Sequence, residues 1–393
     1  MPFRLRRFRA IRAIRQGALR DKRRVLWPQR SRRHRGAAWR RGGAEEFLAQ
    51  VEATAAAARR SGGALPAWGD QVLRRLALAQ APRVLMRLCW LIAEALGDSD
   101  PQHIEALETF SGHQAVTQAH RARGLRAVSY EISDHAGDQC DWLSARGFVH
   151  ALSCGLQLVD GAQSTNAPVC SSWGWLNRGT SKRSKSCPLG DVTVASVANG
   201  NVMVSRMVLF LYVLEARGAW WIVEQPTGSL LGEHPRFQQF IASVDVWRHT
   251  VYMGMFGSAT RKPTWLFSNR PCVGEIDRLP LRWWCSELSE SNLYETINGQ
   301  DRRSVNGVHA ALKESQHYPA AFGHSVAAVH AAHASDLQIT TLERNQDASA
   351  CVRVPDVWNI PANEDTWEDA HTASVLEFLT AGKGHEITGR NKR

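Results

Sequence analysis

The chain has 393 residues, 44% of them hydrophobic, and a formal net charge of +11. Residues 1–41 hold 16 Lys/Arg and one acid, Asp21, so this arm carries +15 and everything after Arg41 carries −4. Wholesale disorder and a basic body are thereby excluded, and the roughly 350 residues behind the arm can bury a large core in two or three domains.

Eight cysteines, at 89, 140, 154, 170, 187, 272, 285 and 351, include no CxxC pair. In so long a chain they form no disulfide framework, which points to a reducing, intracellular compartment and away from a zinc ribbon.

In the arm, Leu5, Phe8, Ile11 and Ile14 recur every three positions among arginines, along one side of a short helix. An Arg-rich, acid-poor amphipathic start has the look of an organelle transit peptide. It equally suits a nucleic-acid or anionic-membrane arm, or a solvated tail. These three readings stay open.

Residues 44–97 are rich in Ala, Leu, Glu and Arg and predict two helical stretches, broken at Ser61-Gly62-Gly63 and Pro66, as a docking or packing segment. An α/β body is expected over 98–335. It starts with a strand at 104–110 ending in Ser111-Gly112, a helix over 113–123 and a strand over 126–132, which is one α/β unit. A weaker strand, 161–169, runs into Cys170. Val202–Leu214, interrupted by Ser205 and Arg206 and ending at Glu215, reads as a helix too short to span a membrane. Ala219–Val223 predicts a strand stopping at Glu224-Gln225-Pro226, and 251–256 with 264–268 an antiparallel pair around Gly257. Residues 336–393 turn polar and predict a loosely attached tail with one short helix near 370–380. No internal repeat is visible.

Ligands of an α/β sheet collect at the carboxyl ends of its strands. Ser111-Gly112, Glu131, Cys170 and Glu224 all fall at such ends, and folding alone does not require a thiol and two carboxylates on one rim. Gly112, between strand and helix, lets backbone N–H groups face a ligand. Glu131, 19 residues on, can accept both hydroxyls of a ribose. Cys170 precedes a polar loop, 177–185, with four bases, and nearby positive charge activates a thiolate nucleophile. Glu224 emerges from five apolar residues, an environment that favours a protonated carboxyl able to donate to a ring nitrogen. Each residue also has a plainer use: a turn glycine, a surface glutamate, a buried small residue. Trp173 and Trp175 flank the thiol and can stack on a base or pack in the core. His324, His330 and His333 lack a metal-ligand spacing and read as a helix face.

Taken in order, these segments resemble a divergent DNA cytosine-5 methyltransferase of the compact, phage-like kind, over about residues 105–332. Leu107-Glu108-Thr109-Phe110-Ser111-Gly112 is similar to the family's first motif, and Glu131 matches its ribose-binding acid. Pro168-Val169-Cys170 resembles the Pro-Pro-Cys loop, and Glu224-Gln225-Pro226 the Glu-Asn-Val or Glu-Asn-Pro motif. Phe256-Gly257 with Arg261-Lys262-Pro263-Thr264-Trp265 resembles a Lys-Pro-Thr stretch. Tyr318-Pro319 and Gly323-His324-Ser325-Val326 resemble the closing Gly-Asn-Ser-Val motif.

The resemblance implies a Rossmann-like methyltransferase fold, with a mostly parallel sheet and an antiparallel hairpin at one edge. It implies S-adenosylmethionine as cofactor, held by Phe110, Ser111, Gly112, Glu131, Pro168 and Ser325. Cys170 becomes the nucleophile toward cytosine carbon 6, Glu224 the ligand of the base, and Arg261 or Lys262 a contact to base or phosphate. The substrate is DNA, or RNA, in the nucleus or, given the Arg-rich start, an organelle. Departures are His113 in the first motif, Val169 and Ser171 around the thiol, Gln225 and His324 for Asn, and Thr264 for a second arginine. Only 48 residues separate Asn269 from Tyr318, where larger members carry a target-recognition domain. A catalytically degenerate fold that binds nucleic acid or protein is the alternative, and a changed substrate a third.

Overall fold

In the computed structural model the described residues are 65–97, 103–133, 138–258, 260–278, 294–297, 300–303, 316–349, 367 and 370–380. The basic arm and residues 44–64 lie outside them. The chain divides between Arg41 and Gly42, and every described residue belongs to the second unit.

The body is α/β, built on a six-stranded mixed sheet. Its strands are β1 (Ile104–Thr109), β2 (Ala127–Tyr130), β3 (Leu158–Asn166), β4 (Trp220–Pro226), β5 (Trp247–Tyr252) and β6 (Pro263–Ser268), in the order β2-β1-β3-β4-β6-β5. The first four run parallel, and β6 lies antiparallel between β4 and β5. A separate hairpin pairs β7 (Tyr294–Ile297) with β8 (Gln300–Arg303).

Helices cover both faces, as the side-chain alternation of β4 requires. Trp221 and Val223 join a large core with α1 (Ala67–Leu78), α2 (Arg83–Leu96), α4 (Ala145–Leu156), α5 (Ala195–Ala216), α6 (Pro235–Ser243) and α8 (Ala370–Thr380). Trp220 and Ile222 point the other way, to a second core with α3 (Ala115–Arg121) and α7 (Ala320–Ser349). On that face α7 crosses α3 so closely that a Cβ at Gly323 would overlap the Ala115 carbonyl.

Local chemistry accounts for several departures from the expected elements. Pro66 and Pro82, which have no N–H to donate, stand at the N-caps of α1 and α2, so one helix starts directly after the expected break at Pro66 and a further break falls at 79–82, while the expected break at 61–63 lies outside the described residues. β3 is shifted three residues toward the N-terminus at both ends. Its polar end is held by side-chain hydrogen bonds, with Gln163 Nε2 donating to Thr165 Oγ1 at 2.9 Å and Asn166 Nδ2 to the Ile222 carbonyl of β4 at 3.1 Å, while Gln163 Oε1 is buried without a partner. β5 starts at Trp247, and 253–256 forms a 3-10 turn instead of strand.

α5 begins seven residues before the expected Val202 and runs for 22 residues, so shortness does not exclude it from a membrane. By length and composition it could cross one, but 78% of its most apolar window is buried within the protein. The expected tail boundary at 335 falls inside α7. Trp367, Val375 and Leu376 enter the large core, so α8 is packed, not loosely attached.

Candidate active site

Strand register sets the rim. Thr109 pairs with both Tyr130 and Asn166, and Asn166 pairs with Val223. The next residue of each strand, Phe110, Glu131, Ala167 and Glu224, therefore lies in one row across the carboxyl ends.

The loop after β1 is shaped by its backbone. Phe110 (φ 57°), Gly112 (φ 49°) and Gln114 (φ 58°) are all left-handed, a conformation costly for the two with side chains and common where a loop must present its amides. The Gly112 amide donates to Glu131 Oε2 at 2.9 Å and the Ile132 amide to Glu131 Oε1 at 3.0 Å. Phe110 stacks on Trp142, centroids 4.9 Å apart. The buried Ser111 hydroxyl has no hydrogen-bond partner. Below this loop lies Glu108, a residue whose role the sequence did not expose. Its Oε2 accepts the Thr117 amide and hydroxyl, both at 2.7 Å, and its Oε1 is buried without a partner. Burial pushes the Glu108 carboxyl up to about 7, against the Thr117 hydrogen bonds.

The loop after β3 is shaped by side chains. Pro168 is buried, and its carbonyl accepts Gln225 Nε2 at 2.8 Å, which ties the thiol segment to the end of β4. The Cys170 carbonyl accepts the Trp173 and Gly174 amides, forming a tight turn with the thiol at its start. Arg183, 2% exposed, anchors the rest. Its guanidinium lies 3.4 Å from the centre of the Trp173 ring and donates to the Ser172, Pro188 and Val197 carbonyls and to Asn201 Oδ1. One of the four loop bases is thus structural, and Arg178, Lys182 and Lys185 are exposed. Trp173 is core, while Trp175 is 55% exposed.

The cation that does reach the thiol comes from elsewhere. Lys262, in the β5–β6 connection, sits with Nζ 3.6 Å from Glu224 Oε1, on a carboxylate only 5% exposed. Burial, then the Glu224 carboxylate, raise the Cys170 thiol pKa, and Lys262 opposes them. The expectation that the 177–185 bases activate the thiol is therefore corrected: Arg183 is spent on Trp173, and the positive charge felt at Cys170 is Lys262. Tyr318 closes the cluster. Its buried hydroxyl faces Glu224, and Lys262 Nζ stands 5.8 Å from its ring centre.

Cys170, Glu224 and Lys262 are thus brought together, and Ser111, Gly112 and Glu131 form a second group on the same rim. Arg261 neighbours Lys262, and its carbonyl accepts the Gly254 amide at 3.3 Å. Ser325 lies buried within α7, not on a turn. Contact with the first loop comes instead from His317, whose ring lies on His113 with centroids 3.5 Å apart. Of the histidines read as a helix face, His330 Nε2 is 2.9 Å from the Gly161 carbonyl and His333 Nε2 is 3.0 Å from Glu275 Oε2. Among the described residues no group of three His, Cys, Asp or Glu could hold a metal. Glu108, Gln225 and Tyr318 fall within motif-like segments of the sequence and Arg183 among the four loop bases, but without the contacts seen here; His317 has no signal beyond its position.

No family model matches the chain, and no curated protein or solved structure matches it either.

Proposed function

We propose that the protein is an S-adenosylmethionine-dependent methyltransferase acting on carbon 5 of cytosine in DNA. The observation that carries this reading is the convergence of Cys170, Glu224 and Lys262, from three separate segments, beside a strand-end carboxylate and a glycine loop on the same rim. The sheet order, with an antiparallel strand between two others at one side, agrees with a Rossmann-like methyltransferase fold.

The first group has the donor set the cofactor needs. Glu131 keeps lone pairs for ribose hydroxyls, Phe110 offers an aromatic face, and the orphaned Ser111 hydroxyl needs a partner. Bound there, S-adenosylmethionine would supply an electrophilic methyl group. Pro168, whose carbonyl holds Gln225, belongs to the thiol side, and Ser325, buried within α7, takes no cofactor role in the proposal.

The protein's own part begins with a flipped base, because carbon 5 is inaccessible in a stacked duplex. Cys170 passes its proton to water as its sulfur bonds to carbon 6, and the electron pair of the 5,6 double bond moves to carbon 5, which becomes nucleophilic. Glu224 hydrogen-bonds the ring nitrogen side, and Lys262 balances the charge that builds on the ring. Arg261 engages phosphate or base. Once carbon 5 carried the methyl group, water would take its remaining proton, the C–H electron pair would re-form the 5,6 double bond, and the sulfur would leave carbon 6 as the Cys170 thiolate.

A second reading, a related fold that binds nucleic acid without turnover, is favoured by one observation: the thiol is held protonated by burial and by Glu224. Calorimetry with S-adenosylmethionine separates the two. Binding is expected, and Glu131→Ala should weaken it by about 1.5–3 kcal/mol through loss of a charge-assisted contact. No binding to the wild type at high concentration removes the enzyme reading.

A further inference from the structure

Two consecutive residues ahead of α7 touch the two halves of the rim separately. His317 lies flat on His113, 5° from parallel, and its Nδ1 is near enough to Gly112 that a Cβ there would come within 3.6 Å. Tyr318 turns the other way, with its ring centre 4.8 Å from that of Phe322 in the second core and 5.8 Å from Lys262 Nζ, and its hydroxyl toward Glu224. The Tyr318 hydroxyl and Glu224 Oε1 are both buried, and neither completes a hydrogen bond.

We infer that His317-Tyr318 is a positioning bridge, in which Tyr318 orients the Glu224–Lys262 pair for the base and His317 makes that orientation depend on what occupies the first loop. This rests on the methyltransferase reading. The physical basis is short reach: neighbouring Cα atoms are about 3.8 Å apart, so a shift of the stacked His317 ring is passed to Tyr318. Phe322, buried against Phe256 and Tyr318, fixes the far side, so the shift is not absorbed there. Burial, then the Glu224 carboxylate, hold the Tyr318 hydroxyl protonated through neutral pH, so it is available to donate to Glu224 when the two close up.

The test uses the full chain and mixed-sequence duplex DNA with 2-pyrimidinone in place of cytosine. Cys170 sulfur adds to carbon 6 of that base and a solvent proton to carbon 5, so the adduct needs no methyl transfer and can be timed with and without S-adenosylhomocysteine. The wild type should form adduct faster when S-adenosylhomocysteine is present. Tyr318→Phe should lower the adduct rate at saturating DNA about tenfold or more, with half-saturating DNA and S-adenosylhomocysteine affinity within about twofold. His317→Ala should abolish the acceleration by S-adenosylhomocysteine. A Tyr318→Phe rate equal to wild type, or an acceleration that survives His317→Ala, overturns the bridge while leaving the methyltransferase reading standing. Should Tyr318→Phe melt far below wild type, His317→Ala alone decides. A wild type that forms no adduct overturns the methyltransferase reading itself, and the bridge with it.

Discussion

The loops after β1 and β3 reach the same rim by opposite means. The first is short and takes its shape from backbone torsions, three left-handed residues within five positions, so that the Gly112 amide faces Glu131. The second is long, from 167 to the start of α5, and takes its shape from one buried guanidinium that collects three carbonyls, an amide oxygen and a tryptophan face. A short loop between strand and helix has few torsions to fix, and strained ones expose donors to a ligand. A long one loses far more entropy on ordering and needs a central anchor. The β1 loop should therefore tolerate side-chain changes, and the thiol loop should depend on a single residue.

The largest effect should follow from removing that anchor. Arg183→Met leaves several buried carbonyls unpaired and should cost about 3 kcal/mol or more, read as a fall in denaturant midpoint. Arg183→Lys should not restore it, because a single ammonium cannot reproduce the planar fork. A midpoint unchanged in either variant would erase the contrast between the loops.

The β1 side carries its own signature in pH. Glu108 titrates near 7 in the fold against an ordinary 4.5, so the folded protein holds this proton more tightly. Its contribution is complete below about pH 4.5 and is lost as pH rises through 7, which from this residue alone amounts to about 3 kcal/mol. Glu108→Gln should flatten that decline, as seen in chemical denaturation between pH 5 and 8. An identical slope in the variant would show that Glu108 is ionised throughout.

A smaller effect tests where the two loops meet. Since the Glu224 carboxylate raises the Cys170 thiol pKa and Lys262 lowers it, Glu224→Gln should speed alkylation of Cys170 near neutral pH, and Lys262→Met should slow it. A one-unit shift changes the thiolate fraction about tenfold, and peptide mapping separates Cys170 from exposed Cys187. Changes in the same direction for both variants would contradict the pairing.

How far the sequence reveals this site follows from the type of signal. The strand-end positions of Gly112, Glu131 and Glu224 were legible because β1, β2 and β4 are short apolar runs bounded by turn or polar residues. β3 is blurred because its last four residues, Gln163 to Asn166, are polar yet buried, where they hydrogen-bond one another and the neighbouring strands β1 and β4. β5 lies at the sheet edge with exposed Trp247 and Tyr252, so its alternation is weak. Lys262 was legible as a site residue, but its pairing with Glu224 depends on β6 lying antiparallel beside β4, which no local pattern encodes. Arg183 reads as one base among four until the fold buries it. Residues 336–393 read as a polar tail because Trp367, Val375 and Leu376 are few and widely spaced, though each enters the core.

The most direct test of a single site joining both loops is covalent capture. DNA carrying 5-fluorocytosine cannot lose its carbon 5 substituent as a proton, so the sulfur bond to carbon 6 persists once a methyl group has been accepted. With S-adenosylmethionine present, intact-mass analysis should show protein joined to DNA, peptide mapping should place the bond at Cys170, and Cys170→Ser should abolish it. A persistent adduct in the Cys170→Ser variant, or none in the wild type with S-adenosylmethionine bound, would contradict the site.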